Sequence, residues 1–369
     1  MASVSVRTIL SLIAAVVCLF GSQQAAAQSA PLEIPFAAEW ASSPHAWVHK
    51  EAFTHWNDDG AIPTACAKCH ATSGLHDYLG LDGTEEGKVD NEALVGKGIT
   101  CVACHNKAIK QLTSVEFPSG AVLEVTTTDR RCMLCHQGRQ STPSVNKLIG
   151  EAGVGDDDVS DKLKFLNIHY RAAAATRYGT EVQGGNEYDG KKYVGLYVHD
   201  EFSTLCSDCH DNHTLRVTVD RCTECHKELE KKDDFRKIRT SKKDYDGDGD
   251  VKEGIDAEIA VLHEELNKAI MAYGKEVAGQ PIVYDSHHYP YFFNDTNGNG
   301  KADEGEGRYP NRYQTWTPRL LRAAYNYQYV AKDPGAYTHN PFYALQLLQD
   351  SLGDLSTKVE VANAGTNRP

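Results

Sequence analysis

Apolar residues return every three or four positions in the last third of the chain. Ile255, Ile259, Leu262, Leu266, Ile270 and Tyr273 form one stripe, the signature of an amphipathic helix. A second helix is predicted over 318–330, after the start signal Trp316-Thr317-Pro318, and a third over 341–355. Upstream, Val159, Leu163, Leu166, Tyr170 and Ala173 share helical spacing and predict a helix over 158–178. Two hairpins are predicted, 114–117 with 121–125 around Pro118-Ser119-Gly120, and 186–188 with 192–197 around Asp189-Gly190. The remaining signals are short, so the chain reads as mainly α with short β-hairpins, loop-rich over 28–237 and helical over 238–369.

The first residues form a separate pattern. Arg7 is followed by an apolar run over 8–20, then by a small-residue segment ending Ala25-Ala26-Ala27. This predicts a secretory signal peptide over 1–27, cleaved after Ala27 and carrying Cys18 away with it. The run is short for a bilayer, and no other stretch of similar length is apolar, so no transmembrane segment is expected in the mature chain.

Ten of the eleven cysteines fall into five copies of Cys-x-x-Cys-His: Cys66-Cys69-His70, Cys101-Cys104-His105, Cys132-Cys135-His136, Cys206-Cys209-His210 and Cys222-Cys225-His226. None remains for a disulfide in the mature chain. Paired thiols also suit zinc, but zinc knuckles have no reason to place histidine after every second cysteine. A redox dithiol needs one motif on a thioredoxin-like frame, not five. The spacing is that of c-type haem attachment, with the thiols adding to the porphyrin vinyls and the histidine binding iron. Five motifs predict five covalent haems, which must supply much of the core over 28–237, where so little chain surrounds each motif.

The sixth iron ligand separates a wire from an enzyme. After the leader only Met133 and Met271 remain, whereas eleven histidines lie outside the motifs. Bis-histidine ligation is therefore expected, and with it low reduction potentials. His213 is the leading distal candidate, three residues after His210. His169 on the 158–178 helix, His199 at the end of the second hairpin, and His49 and His55 on 46–56 follow, with His339 in Thr338-His339-Asn340-Pro341. His287 or His288 is a further choice, and His45, His76 and His263 are expected to be bystanders.

Two acidic loops remain. Asp295, Asn297, Asn299, Lys301 and Glu306 occupy the ligand positions of a calcium loop, with Gly300 at the turn. Asp244, Asp246, Asp248 and Asp250 open in the same way, but Ile255 stands where glutamate closes such a site, so Glu253 or Glu258 must substitute. Calcium with a structural role is expected at both; the alternative is a pair of solvated Asx turns.

The chain resembles multihaem c-type cytochromes, and among them exported polyhaem membrane-associated cytochromes. The resemblance is carried by residues 51–57 ahead of the first motif, by Cys132-Met133-Leu134-Cys135-His136-Gln137-Gly138-Arg139, by Asn167-Ile168-His169-Tyr170 and by residues 333–341. It implies an architecture organised around stacked haems, electron transfer outside the cytoplasmic membrane, and His55, His169 and His339 as distal ligands. The haem count, the calcium loops and the His-Asn-Pro sequence also resemble pentahaem nitrite reductases, which usually carry lysine in one motif; no Cys-x-x-Cys-Lys occurs here. The leading expectation is an exported electron carrier, periplasmic or at the cell surface. The alternative is a reductase or oxidase of a small nitrogen or sulfur compound with one open haem, assisted by Arg139, Tyr170 and Tyr178. With a net charge of −13, nucleic acid and anionic lipid are not expected as partners, and basic faces of other cytochromes or redox proteins fit better. Self-assembly into an oligomer or filament, with a distal histidine from the next subunit, is a structural extension of the carrier reading.

Overall fold

The computed structural model describes residues 33–199, 204–227, 229, 232–362 and 367–369; the predicted leader lies outside them. All three helices of the last third form. Ile255–Glu276 buries the predicted stripe, with Leu262, Leu266 and Tyr273 fully enclosed. Pro318–Lys332 begins with proline at its first turn, where a missing N–H costs nothing, and the Thr317 hydroxyl accepts the Leu320 N–H at 3.2 Å. Pro341–Leu355 starts the same way, with the Asn340 side chain accepting the Tyr343 N–H at 3.0 Å. These helices pack on one another. Each fully buried leucine in the bundle contributes about 2 kcal/mol by leaving water.

The first predicted hairpin forms as well: Ser114–Glu116 pairs antiparallel with Val122–Glu124, placing Ser114 opposite Glu124. The second does not become a ladder. Asp189-Gly190 is a turn, with Gly190 at φ 76°, but the flanking backbone donors go to side chains. Tyr188 N–H donates to the Tyr193 hydroxyl, and Val194 N–H to Gln346 Oε1. Two further short pairs, Ala61–Ile62 with Ala93–Leu94 and Ile282–Tyr284 with Phe292–Asn294, complete the strand pairs among the described residues, beside isolated bridges at His210–Val217 and Phe293–Arg312.

The helix expected over 158–178 is overturned. Only Ala173–Tyr178 is helical, and His169 and Arg171 have φ of 78° and 58°. Two left-handed residues two apart end any helix there, and the apolar spacing was coincidental: Val159 and Tyr170 are exposed. An undetected helix, Thr142–Ala152, lies just upstream. It opens on Pro143 and closes on Gly153 at φ 66°, start and stop signals that the sequence does carry.

The compositional boundary after residue 237 marks where the motifs end, and the core runs across it. One cluster of buried residues extends from Phe53 to Val359. Polar contacts stitch the two regions together: Asn326 and Asn186 exchange hydrogen bonds at 2.7 and 2.9 Å, and the buried Tyr325 hydroxyl donates to the Gly184 carbonyl at 2.7 Å.

Candidate haem-binding site

Each motif occupies about one helical turn. The histidine N–H returns to the carbonyl of the first cysteine at 2.9 Å for His105, 3.0 Å for His136, and 2.9 Å for both His210 and His226; the first motif lies inside the Thr64–His70 helix. Positions three apart share a helix face, so both thiols point one way with the imidazole beside them. All ten thiols are free.

Every motif histidine faces a second imidazole. His70 and His169 have ring centroids 5.7 Å apart and Nε2 atoms at 3.4 Å. The centroids of His105 and His213 are 6.1 Å apart, those of His136 and His45 6.1 Å, those of His210 and His339 6.4 Å, and those of His226 and His199 6.2 Å. Metal–nitrogen bonds of about 2 Å place two axial imidazole nitrogens roughly 4 Å apart, with ring centres roughly 6 Å apart. The centroid separations of all five pairs fit that requirement.

Ring orientation supports the same reading. His70, His136 and His210 direct Nδ1 to the carbonyls of Ala52, Arg171 and Leu215 at 2.7, 2.8 and 3.3 Å, and His339 directs Nδ1 to Asp333 at 2.9 Å. A hydrogen-bond acceptor held against Nδ1 is what turns Nε2 toward a metal. Burial, and then the facing His136, hold His45 down to about 4; burial and His70 do the same to His169. Burial also works to depress His339, but the charge and hydrogen bond of Asp333 more than offset it. A neutral imidazole is the ligating form.

Of the sequence candidates, His169, His199, His213 and His339 are each brought to a motif histidine. His49 and His55 are not: their rings lie against Trp47 and Trp56, and among the described residues neither is ring-to-ring with a motif histidine. His45, read as a bystander, stands opposite His136 instead. Pro44 opens the tight turn that carries it, and Trp40 stacks on its ring at 6.2 Å. A proline-fixed turn was the available signal, but the choice among three nearby histidines is made by long-range packing. His263, read as a bystander, directs its Nε2 to the Tyr327 carbonyl at 2.8 Å.

Curated relatives bear on the motifs directly. The C-type polyheme cytochrome OmcB of Geobacter sulfurreducens, in two strains, is 25% identical over 358 residues, covering 82% of this chain and 45% of the relative. The C-type polyheme cytochrome OmcC of the same species is 27% identical over 373 residues, covering 81% and 44%. The chain is similar to multihaem c-type cytochromes over most of its length. It spans somewhat less than half the length of the curated relatives it matches. No family model and no solved structure matches it. Among the described residues, no helix is long and apolar enough to cross a membrane.

The motifs lie against one another. The thiols of Cys69 and Cys135 are in contact, as are those of Cys132 and Cys206. Asp129, buried just before the third motif, accepts the Cys206 N–H at 2.9 Å and pairs with Arg177 at 2.9 Å. His169 faces the first motif, and two residues later the Arg171 carbonyl receives the histidine of the third.

Both acidic loops are folded as closed turns. Asp295 accepts the N–H groups of Gly298 and Gly300 at 2.7 and 2.8 Å, while Asn297 and Asn299 each accept from the residue two further on. Glu306 closes the loop on Thr296 N–H at 2.8 Å. In the other loop Asp244 accepts from Gly247 and Gly249 at 2.6 and 2.9 Å, and Asp250 accepts the Lys252 N–H. The closing carboxylate here is Glu258, which accepts the N–H groups of Tyr245 and Asp246. Glu253 lies instead with Asp246 and Asp248, their oxygens within 4.8 Å of one another. Burial and then crowding by neighbouring carboxylates push Asp246 up to about 6 and Glu253 up to about 7.

Proposed function

We propose that this chain is an exported electron-transfer protein carrying five low-potential bis-histidine haems, and that it exchanges electrons with other redox proteins. The supporting observation is the set of five opposed imidazole pairs, one for each motif. Haem supplies the one-electron chemistry; the polypeptide sets axial ligands, spacing and burial, and these tune each potential. The close approach of the first and fourth motifs to the third at their thiols would hold those haems near one another, which suits electron tunnelling from site to site. All five distal imidazoles come from the same chain, so a filament built on a borrowed histidine is not needed to complete any iron.

An open-haem reductase needs a motif histidine without an opposed imidazole, and each of the five has one. Tyr170 and Tyr178, considered for such a role, have structural partners: the Tyr170 hydroxyl shares a 2.7 Å hydrogen bond with Tyr291, and Tyr178 packs on Phe117. Both acidic loops are read as sites for calcium, with Glu258 completing the first. The acidic surface fits basic faces on partner cytochromes.

Purified protein is expected to hold five haems per chain by pyridine haemochrome assay. Its ferric electron paramagnetic resonance spectrum is expected to be wholly low-spin and unchanged by nitrite or hydroxylamine. A high-spin signal that responds to either compound would count against the carrier and for the reductase.

A further inference from the structure

The loop closed by Glu258 is more than a set of acidic turns. Asp246 is fully enclosed, at 0% exposure, and its Oδ2 has no hydrogen-bond partner; Glu253 Oε1 is likewise buried without one. Asp246 belongs to two convergent triplets, with Asp244 and Glu258 and with Asp248 and Glu253, each with oxygens within 4.8 Å. Arg239 pairs with Glu258 Oε1 and its charge also reaches Asp244, but neither contact supplies a partner for the buried Asp246 Oδ2 or Glu253 Oε1. Buried, unpartnered carboxylate oxygens are costly unless a positive charge meets them, and an all-oxygen set selects a hard dication of the calcium type.

Tyr245, between the first two acidic positions, connects this loop to the haem ligands. Its N–H is held by Glu258, and its carbonyl accepts the Gln349 side chain at 2.7 Å from the Pro341–Leu355 helix. Its ring lies 6.3 Å from that of Phe342, on the first turn of the same helix. Phe342 is three residues beyond His339, which faces the fourth motif. Its other neighbour is Tyr197, at 6.1 Å, and Tyr197 in turn lies 6.5 Å from His199, which faces the fifth.

We propose that a calcium-type dication bound between Asp244 and Glu258 fixes the distal ligands of the fourth and fifth haems, so that occupancy of this loop tunes those two haems and leaves the first three alone. This rests on the bis-histidine reading above. A cation that holds Tyr245 in place holds Phe342, and through it the start of the helix behind His339 and the ring beside His199.

The test uses the full haem-loaded chain, stripped with a calcium chelator and titrated with calcium, with redox potentiometry and ferric paramagnetic resonance as readouts. Stripping is expected to shift the midpoints, or loosen the low-spin signals, of two haems in five, and calcium to restore them. Asp246→Asn is expected to weaken binding at this loop at least about tenfold and to resemble the stripped protein. Glu253→Gln serves as a milder second variant, and Asp295→Asn in the other loop should keep the full response. If calcium binds here while all five haems stay unchanged, the coupling is wrong; if Asp246→Asn and Glu253→Gln bind calcium as the unaltered chain does, the site is wrong. A calcium-loaded protein with fewer than five low-spin haems would instead remove the reading on which the proposal rests.

Discussion

At the residue scale, three histidines lie within eleven positions, and only the folded chain distinguishes them. His45 faces His136, whereas His49 and His55 rest on tryptophans. His45→Ala is therefore expected to convert one ferric haem in five to high spin, with His49→Ala and His55→Ala leaving all five low-spin; paramagnetic resonance on the three variants decides. His263 has a different role. Burial holds it down to about 4, and its Nε2 meets the Tyr327 carbonyl. The unfolded chain gains a proton near pH 6.5 that the folded chain refuses until about 4. Stability is thus full above pH 6.5 and is lost as pH falls toward 4, by up to on the order of 3 kcal/mol. In denaturant titrations across that window, His263→Gln should flatten the slope.

At the element scale, the parts legible in the sequence were those specified locally. The three long helices carry their own caps and stripes, and the Pro118-Ser119-Gly120 turn sets its hairpin. The failures came where tertiary contacts override spacing. Residues 158–172 mimic a helix but are bent by left-handed residues at 169 and 171, and the 186–197 segment gives its backbone donors to Tyr193 and Gln346 rather than to a partner strand. The Thr317 cap is a clean test of local specification, because its hydroxyl serves both Leu320 N–H and the Tyr273 hydroxyl in a fully buried setting. Thr317→Ala is expected to cost about 1–2 kcal/mol, read as a lower unfolding midpoint with the haem spectrum unchanged.

At the scale of the whole molecule, the motif count was plain in the sequence, and the division into a haem region and a tail was not how the core is built. The tail supplies His339 and the helices on which residues 142–187 pack. A chain ending at residue 237 is accordingly expected to show at least one high-spin haem and no cooperative thermal transition. A sharp melt with five low-spin haems in that fragment would show the tail to be dispensable.

The bend at residues 169–171 reaches past its own neighbourhood. It sets an imidazole opposite the histidine of the first motif and, two residues later, a carbonyl oxygen against the ring of the third motif's histidine. A displacement of that short span is felt at both centres together, so the first and third sites should not respond to a local disturbance as strangers do.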